Sequence, residues 1–242
     1  MISILHPSRQ RPEKSFETCK KWLDKSGLHS AEIIELIISV DQDDPELEGY
    51  KAHKTLRDIT GRAITGGAII HENRSAVDAI NRAALASRGQ ILIVVSDDTD
   101  CPGDWAVDLI KAVEGKTDWI AKCPDGIQNW IITMPIMDRA YYKRFGYIYH
   151  PEYRHMFCDT EITCVADLLG RKIDIPITFP HLHPGHGHGT PDALNARADA
   201  TWQQGEDLFL SRLKKNFDLA EADIVGKITD ESYRAWIANK LK

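Results

Sequence analysis

Residues 91–105 read ILIVVSDDTDCPGDW and set three carboxylates, Asp97, Asp98 and Asp100, within four positions at the end of an apolar run. Like charges held that close repel, and each prefers water to a buried strand end. A positive partner relieves both costs. Carboxylates are hard oxygen ligands, so a divalent cation such as Mn²⁺ or Mg²⁺ suits them, and such cations in turn suit phosphates. The competing reading is a capping cluster for the helix that follows, where the helix dipole favours negative charge. One residue is enough for a cap, so three favour a metal.

Other groups could join that chemistry. Arg9 and Arg11 lie in HPSRQRP, after a first apolar stretch. Arginine forks pair well with phosphate, although an isolated pair of arginines also reads as plain solvent exposure. Asp41 ends a second apolar run and could accept hydrogen bonds from a nucleobase or ribose; within DQDDP it reads equally as a turn residue. The loop HLHPGHGHG, residues 181–189, holds His181, His183, His186 and His188. His181 and His183 alternate, so an extended chain turns both to one side. Imidazole suits Mn²⁺ and Zn²⁺, and one histidine with a carboxylate makes a mixed site. A flexible Gly/His loop without a ligand is the competing reading. Asp159 and Glu161 form a further acidic pair.

The elements that must position these groups follow from periodicity. Residues 2–5 read as a strand and 6–11 as a polar loop. Pro12 suits the first turn of a helix whose face carries Phe16, Cys19 and Leu23, with Gly27 after it. Residues 33–40 fit a strand buried on both faces. A helix is expected over 48–59, stopping at Gly61, and a brief strand over 68–71. Ser75 and Asp78 make a capping-box-like start for a helix over 75–88, with Val77, Ile80, Ala84 and Leu85 on its apolar face and Gly89 ending it. Strand 90–95 and helix 105–113 follow. Residues 119–122 and 130–134 are strand candidates, 138–145 is a helix candidate, and the chain from Ala193 onward reads as helical. Alternation of this kind predicts an α/β fold with a mostly parallel central sheet flanked by helices, in which ligands bind at the carboxyl ends of the strands.

Composition narrows the class. The chain has 242 residues, 43% hydrophobic and 27% charged, an ordinary globular balance, and no internal repeat suggests more than one domain. Its net charge of -6 and lack of a long basic run disfavour nucleic-acid binding. The first residues lack the order of a secretory signal, and no segment reaches the roughly 18 apolar residues that span a bilayer. Five scattered cysteines without a CxxC pair read as free thiols, and a cytoplasmic location is expected.

On these motifs the chain resembles the inverting glycosyltransferases of the GT-A fold, often called family 2. The likeness runs over residues 2–188: a strand followed by HPSRQRP, a strand ending in Asp41, and NRSAVDAINRAALASRGQILIVVSDDTDCPGDW, the most specific piece. FCDTEITCVADLLGRKI looks like the family's acidic pair opening a helix, and HLHP like its late metal-ligand histidine. Two positions depart from the pattern. Val95 stands where the family's Asp-x-Asp-Asp begins, and Cys158 where a glutamate often precedes the second acid.

The resemblance implies a single GT-A (nucleotide-diphospho-sugar transferase) domain over 1–242, with a nucleotide-binding half, 1–122, and an acceptor-side half, 123–242, ending in helices. It implies a nucleotide-sugar donor, most often a UDP-sugar, held by Pro7, Ser8, Arg9, Arg11, Asp41, Asn73, Arg74, Ser96 and Asp97. Mn²⁺ or Mg²⁺ would sit on Asp97, then Asp98, with His183; Asp98-Thr99-Asp100 is a second register, and His181, His186 and His188 are alternatives to His183. Asp159 would be the base that activates a hydroxyl acceptor. Asp125, Trp130 and Glu161 are placed on the acceptor side, with a core role competing for Trp130. Three other readings compete. A nucleotidyltransferase needs a Gly-rich first loop, which HPSRQRP is not. A hydrolase would use the histidines and aspartates on two metals. An inactive relative fits the loss of the first acid at Val95.

Overall fold

The computed structural model describes residues 1–28, 34–52, 65–127, 130–188 and 190–240. Its strands are β1 (Ile2–Ser8), β2 (Ile34–Asp41), β3 (Thr65–His71), β4 (Ile91–Val94), β5 (Ile120–Lys122), β6 (Ile136–Asp138) and β7 (Lys172–Asp174). They form one sheet in the order β3-β2-β1-β4-β6-β5-β7. Every residue of β2 is buried, as its apolar run requires, because β1 and β3 flank it in parallel and helices cover both faces. β4 also runs parallel to β1. Beyond it, β6 is antiparallel to β4 and β5, and β7 returns parallel to β5.

Alternate strand residues supply two cores. On one face Ile4, Leu36 and Ile38 pack with Phe16, Cys19 and Trp22 of α1 (Pro12–Asp24) and with Trp105 of α4 (Trp105–Ala112). On the other, Leu5, Ile37 and Leu92 pack with Val77 and Ile80 of α3 (Ala76–Ala86) and with Ile162 of α6 (Cys158–Leu168). The β1–β2 crossover therefore covers one face and the β3–β4 crossover the other. The winding reverses between β1 and β4, which opens a crevice at their carboxyl ends. The remaining helices are α2 (Leu47–Ala52), α5 (Arg139–Phe145), α7 (Ala193–Asp199), α8 (Trp202–Leu213) and α9 (Glu231–Lys240).

Several boundaries differ from the sequence reading. His6, Pro7 and Ser8 belong to β1, paired with Ile38, Ser39 and Val40, instead of to the loop. Past Leu5, β1 pairs only with β2, so proline's missing N–H interrupts no ladder on the β4 side. β3 begins at Thr65, three residues earlier than expected. Residues 130–134 form no strand: Thr163 Oγ1 of α6 takes the Ile132 amide at 2.9 Å, and the Thr133 hydroxyl donates to Asp125 at 2.8 Å. The antiparallel strand is Ile136–Asp138, and Asp138 then caps α5 by accepting from the Tyr141 amide. Ser75 caps α3 by accepting from the Asp78 amide, and the helix ends at Ala86. Gly89 serves a close approach instead of a stop: a Cβ there would meet Ser3 Oγ at 2.4 Å. The expected helix 48–59 is seen as α2 as far as Ala52; Ile33, residues 53–59, Gly61 and Gly189 lie outside the described residues.

Candidate functional site

β1 lies between β2 and β4, so its loop can reach the ends of both. Gln10 makes this possible with a left-handed backbone (φ 60) that sends its two neighbours in different directions. Arg9 turns to the end of β2 and donates to Asp41 at 2.5 Å and Asp43 at 2.6 Å. Asn73, after β3, donates to the second Asp41 oxygen at 2.8 Å. Arg11 turns to the end of β4 and donates to both oxygens of Asp97, at 3.0 and 2.9 Å. Its other terminal nitrogen donates to Asp192, and Lys14 lies 3.6 Å from Asp97. Ser8 meets the Tyr50 hydroxyl at 2.7 Å, and that hydroxyl accepts from the Arg11 amide at 3.2 Å, which fixes the loop on α2. Arg74 points away: its side chain is 75% exposed and pairs with Asp78.

The three acids after β4 have separate partners. Asp100 faces Lys21 of α1 at 3.0 Å and Lys25, the residue that caps its C-terminus, at 3.3 Å. Asp97 faces Arg11 and Lys14, as above. Asp98 turns to the histidine segment, where His181 Nε2 lies 3.3 Å from Oδ2, while Oδ1 is buried without a hydrogen-bond partner. Burial opposes charge on both side chains, yet their mutual attraction outweighs it, with the Ser96 side chain also favouring the charged form of Asp98. Asp98 is held well below the usual carboxylate range, and the His181 imidazole is raised above its ordinary value. Ser96 closes the turn, its carbonyl accepting from the Thr99 hydroxyl at 2.8 Å. Val95, at the position where the resemblance expects an acid, is fully buried, and its carbonyl accepts from His6 Nδ1 at 2.7 Å.

Backbone bonds stitch the histidine segment to this loop: Leu182 N to Asp98 O at 2.6 Å and Asp100 N to Pro180 O at 2.8 Å. Asp125 supports it from the other side. Its carbonyl takes the His181 amide at 2.9 Å, and its carboxylate accepts from the Ile127 amide and the Thr133 hydroxyl. Two residues upstream of His181, Phe179 stacks on Trp22 with centroids 5.4 Å apart, and Trp105 meets it edge-on. The His183 ring lies 5.4 Å from that of His181, whereas His186 and His188 are exposed. Among the described residues no three His, Cys, Asp or Glu side chains already converge as a metal set. Asp98 and His181 nonetheless fit a divalent cation: a buried carboxylate oxygen without a partner and an imidazole nitrogen beside it, with further positions left for phosphate and water.

Asp159 lies in the first turn of α6, two residues after Phe157, whose backbone is left-handed (φ 69). Its Oδ1 accepts from the Thr160 amide at 2.7 Å. It keeps some surface open, yet protein atoms crowd it, and burial pushes its carboxyl above the usual value. His155, absent from the sequence reading, is exposed at its surface and feels the charges of Asp159, Asp98 and Asp199; nothing periodic in the sequence marks it. Glu161 goes the other way round the helix. It is buried, accepts from Arg212 Nε at 2.8 Å and from the Tyr153 hydroxyl at 2.8 Å, and lines a separate small hollow with Tyr141 and Phe217. Two helical positions turn Glu161 roughly 200° from Asp159, so the structure sets it against Arg212 and Tyr153 and not beside Asp159. Trp130 is half-buried and stacks on Tyr233 of α9 with centroids 4.1 Å apart.

No family model and no curated protein matches the sequence. The fold does match solved structures. S. aureus TarS 1–349 in complex with UDP-GlcNAc superposes with a TM-score of 0.62 at 15% identity, over 91% of this chain and 68% of that one. S. aureus TarS itself gives 0.60 at 12% identity, over 99% of this chain; this chain spans only 42% of its length. The mannosyltransferase PcManGT from Pyrobaculum calidifontis, in complex with GDP-Man and Mn²⁺, gives 0.56 at 11% identity, over 99% of this chain and 79% of that one. The likeness shows the fold: this chain has the GT-A glycosyltransferase fold, with a mostly parallel central sheet flanked by helices. No described helix is long and apolar enough to cross a membrane.

Proposed function

We propose that this chain is a metal-dependent glycosyltransferase that moves a sugar from a nucleoside-diphosphate sugar to an acceptor hydroxyl with inversion. The observation that carries the reading is the Asp98 carboxylate. It is held ionised beside His181, with one buried oxygen unpartnered, in the crevice where the sheet reverses its winding. A charge kept half-buried without full hydrogen bonding is costly unless a cation shares it. The nucleotide-sugar complexes of fold neighbours, one with Mn²⁺, support the same reading.

Roles follow from position. Asp41, Asn73 and Arg9 receive the nucleoside at the ends of β2 and β3. Arg11 and Lys14 face the phosphates. Asp98 and His181 hold the cation, with Asp97 and His183 beside them; Asp100 is neutralised by Lys21 and Lys25 and takes no part. A bound divalent cation supplies positive charge to the leaving diphosphate. Asp159 takes the acceptor's hydroxyl proton as the acceptor oxygen bonds to the anomeric carbon and the carbon–phosphate-oxygen bond breaks. One displacement inverts that carbon. The raised pKa makes Asp159 a better base than an ordinary aspartate. Asp125 acts by positioning His181, and Trp130 belongs to the aromatic wall beside α6.

Calorimetric titration of UDP, GDP, CDP and dTDP, each with Mn²⁺ and again with EDTA, tests the site. One nucleotide binding tightly with Mn²⁺ and weakly with EDTA is expected, and Asp98→Ala removes that difference. Failure of all four to bind under either condition overturns the reading.

A further inference from the structure

Arg11 is the strongest candidate for a phosphate partner in the crevice, yet the protein already fills it with anions. One terminal nitrogen holds both oxygens of Asp97, and the other holds Asp192. Two carboxylates occupy both terminal nitrogens of one guanidinium, with Lys14 as the only further cation paired to them among the described residues, and a diphosphate adds more negative charge. It cannot reach the fork without displacing one of them.

The two are held unequally. The Asp97 side chain is 12% exposed and has Lys14 in addition to Arg11, whereas that of Asp192 is 45% exposed. Asp192 precedes α7, a helix with no buried residue, so the packing that holds this segment down is weak. The helix is also self-contained. Asp192 Oδ1 accepts from the Leu194 and Asn195 amides, and Asn195 Oδ1 accepts from the Asp192 amide. Only Oδ2 reaches Arg11. Residues 192–199 can therefore lift from Arg11 without losing their cap. Arg197 on the same helix is near enough to Asp43, the partner of Arg9, for its charge to act there.

We propose that Asp192 is an internal stand-in for the donor's phosphates: it occupies Arg11 in the donor-free protein, and a nucleoside diphosphate binds by displacing it. This rests on the function proposed above and adds a competitor built into the chain. Asp192 thus sets donor affinity without touching the donor.

Asp192→Asn isolates the charge, since asparagine caps a helix as well as aspartate does. The measurement is the calorimetric Kd of the tightest-binding diphosphate from the panel, and of its nucleoside without phosphates, for wild type and variant in EDTA and in Mn²⁺. The expected result is diphosphate binding tighter by about fivefold in the variant, the worth of one partly exposed charge pair. Nucleoside binding stays unchanged, and the gain shrinks at high salt. Asp207→Asn, an exposed charge removed on α8, controls for net charge and should change nothing. Equal or weaker diphosphate binding in Asp192→Asn overturns the stand-in while leaving the donor site intact. An equal gain in Asp207→Asn overturns it too. Absence of diphosphate binding in both wild type and Asp192→Asn overturns the donor reading itself.

Discussion

Because protein atoms crowd Asp159, its carboxyl gives up its proton at a higher pH than an exposed aspartate does. Transfer by a base of this kind fails on acidification sooner than an ordinary aspartate predicts, and a pH–rate profile reads the limb directly. The same shift has a cost in stability. Between the unfolded value of about 3.9 and its raised native value, the native state holds the extra proton. Stability therefore falls as pH rises through that window and stays lower above it. Asp159→Asn removes the charge, so at pH 7 its Tm should rise while transfer drops by about 10²–10⁴-fold and diphosphate affinity holds. A lower Tm with lost nucleotide binding would mean that the residue is structural. Glu161→Ala should behave in the opposite way. It removes the buried partner of Arg212 Nε and leaves that side chain, 9% exposed, with the exposed Asp218 as counter-charge, at a cost of about 3 kcal/mol in urea unfolding. Residue types alone placed Arg9, Arg11 and Asp41 at strand ends. They could not divide the three acids after β4, because the division depends on Lys21 and Lys25 at the end of α1, some 75 residues away in sequence.

At the scale of elements, the site depends on β1 standing between β2 and β4 with all three carboxyl ends on one edge. That much was legible, since unbroken apolar runs separated by amphipathic helices admit few arrangements. The strand expected over 130–134 was not, because its apolar residues pack as a strand's would while its Ile132 amide is taken by Thr163 of a helix. Gly89 reads as a helix stop and proves to be a contact point. Glu35 of β2 and the Gly89 amide both bond Ser3 Oγ, at 2.6 and 2.8 Å, leaving no room for a methyl group. Gly89→Ala should cost about 1–3 kcal/mol of stability through this overpacking. Nucleotide affinity should be unchanged, because the clash lies at the amino end of β1. Chemical denaturation with a parallel diphosphate titration separates the two effects.

At the scale of the molecule, a chain of net charge -6 draws in an anion only where local cations gather, and here most of them are already paired. Cation and diphosphate should therefore stabilise the fold together more than either does alone. A thermal shift that needs both, and that EDTA abolishes, is the expected result; at a hundredfold excess over Kd the linkage is worth about 2.7 kcal/mol. A shift from the nucleotide alone would place the metal outside the site. The stack of Phe179 on Trp22, with Trp105 edge-on, lies two residues from His181. A movement of the histidine segment that carries Phe179 with it as Mn²⁺ arrives slides an aromatic ring across two indoles that are otherwise sealed from water. The protein thus carries its own optical gauge: tryptophan emission should follow loading of the crevice with no label attached, and Trp22→Phe should silence most of the signal.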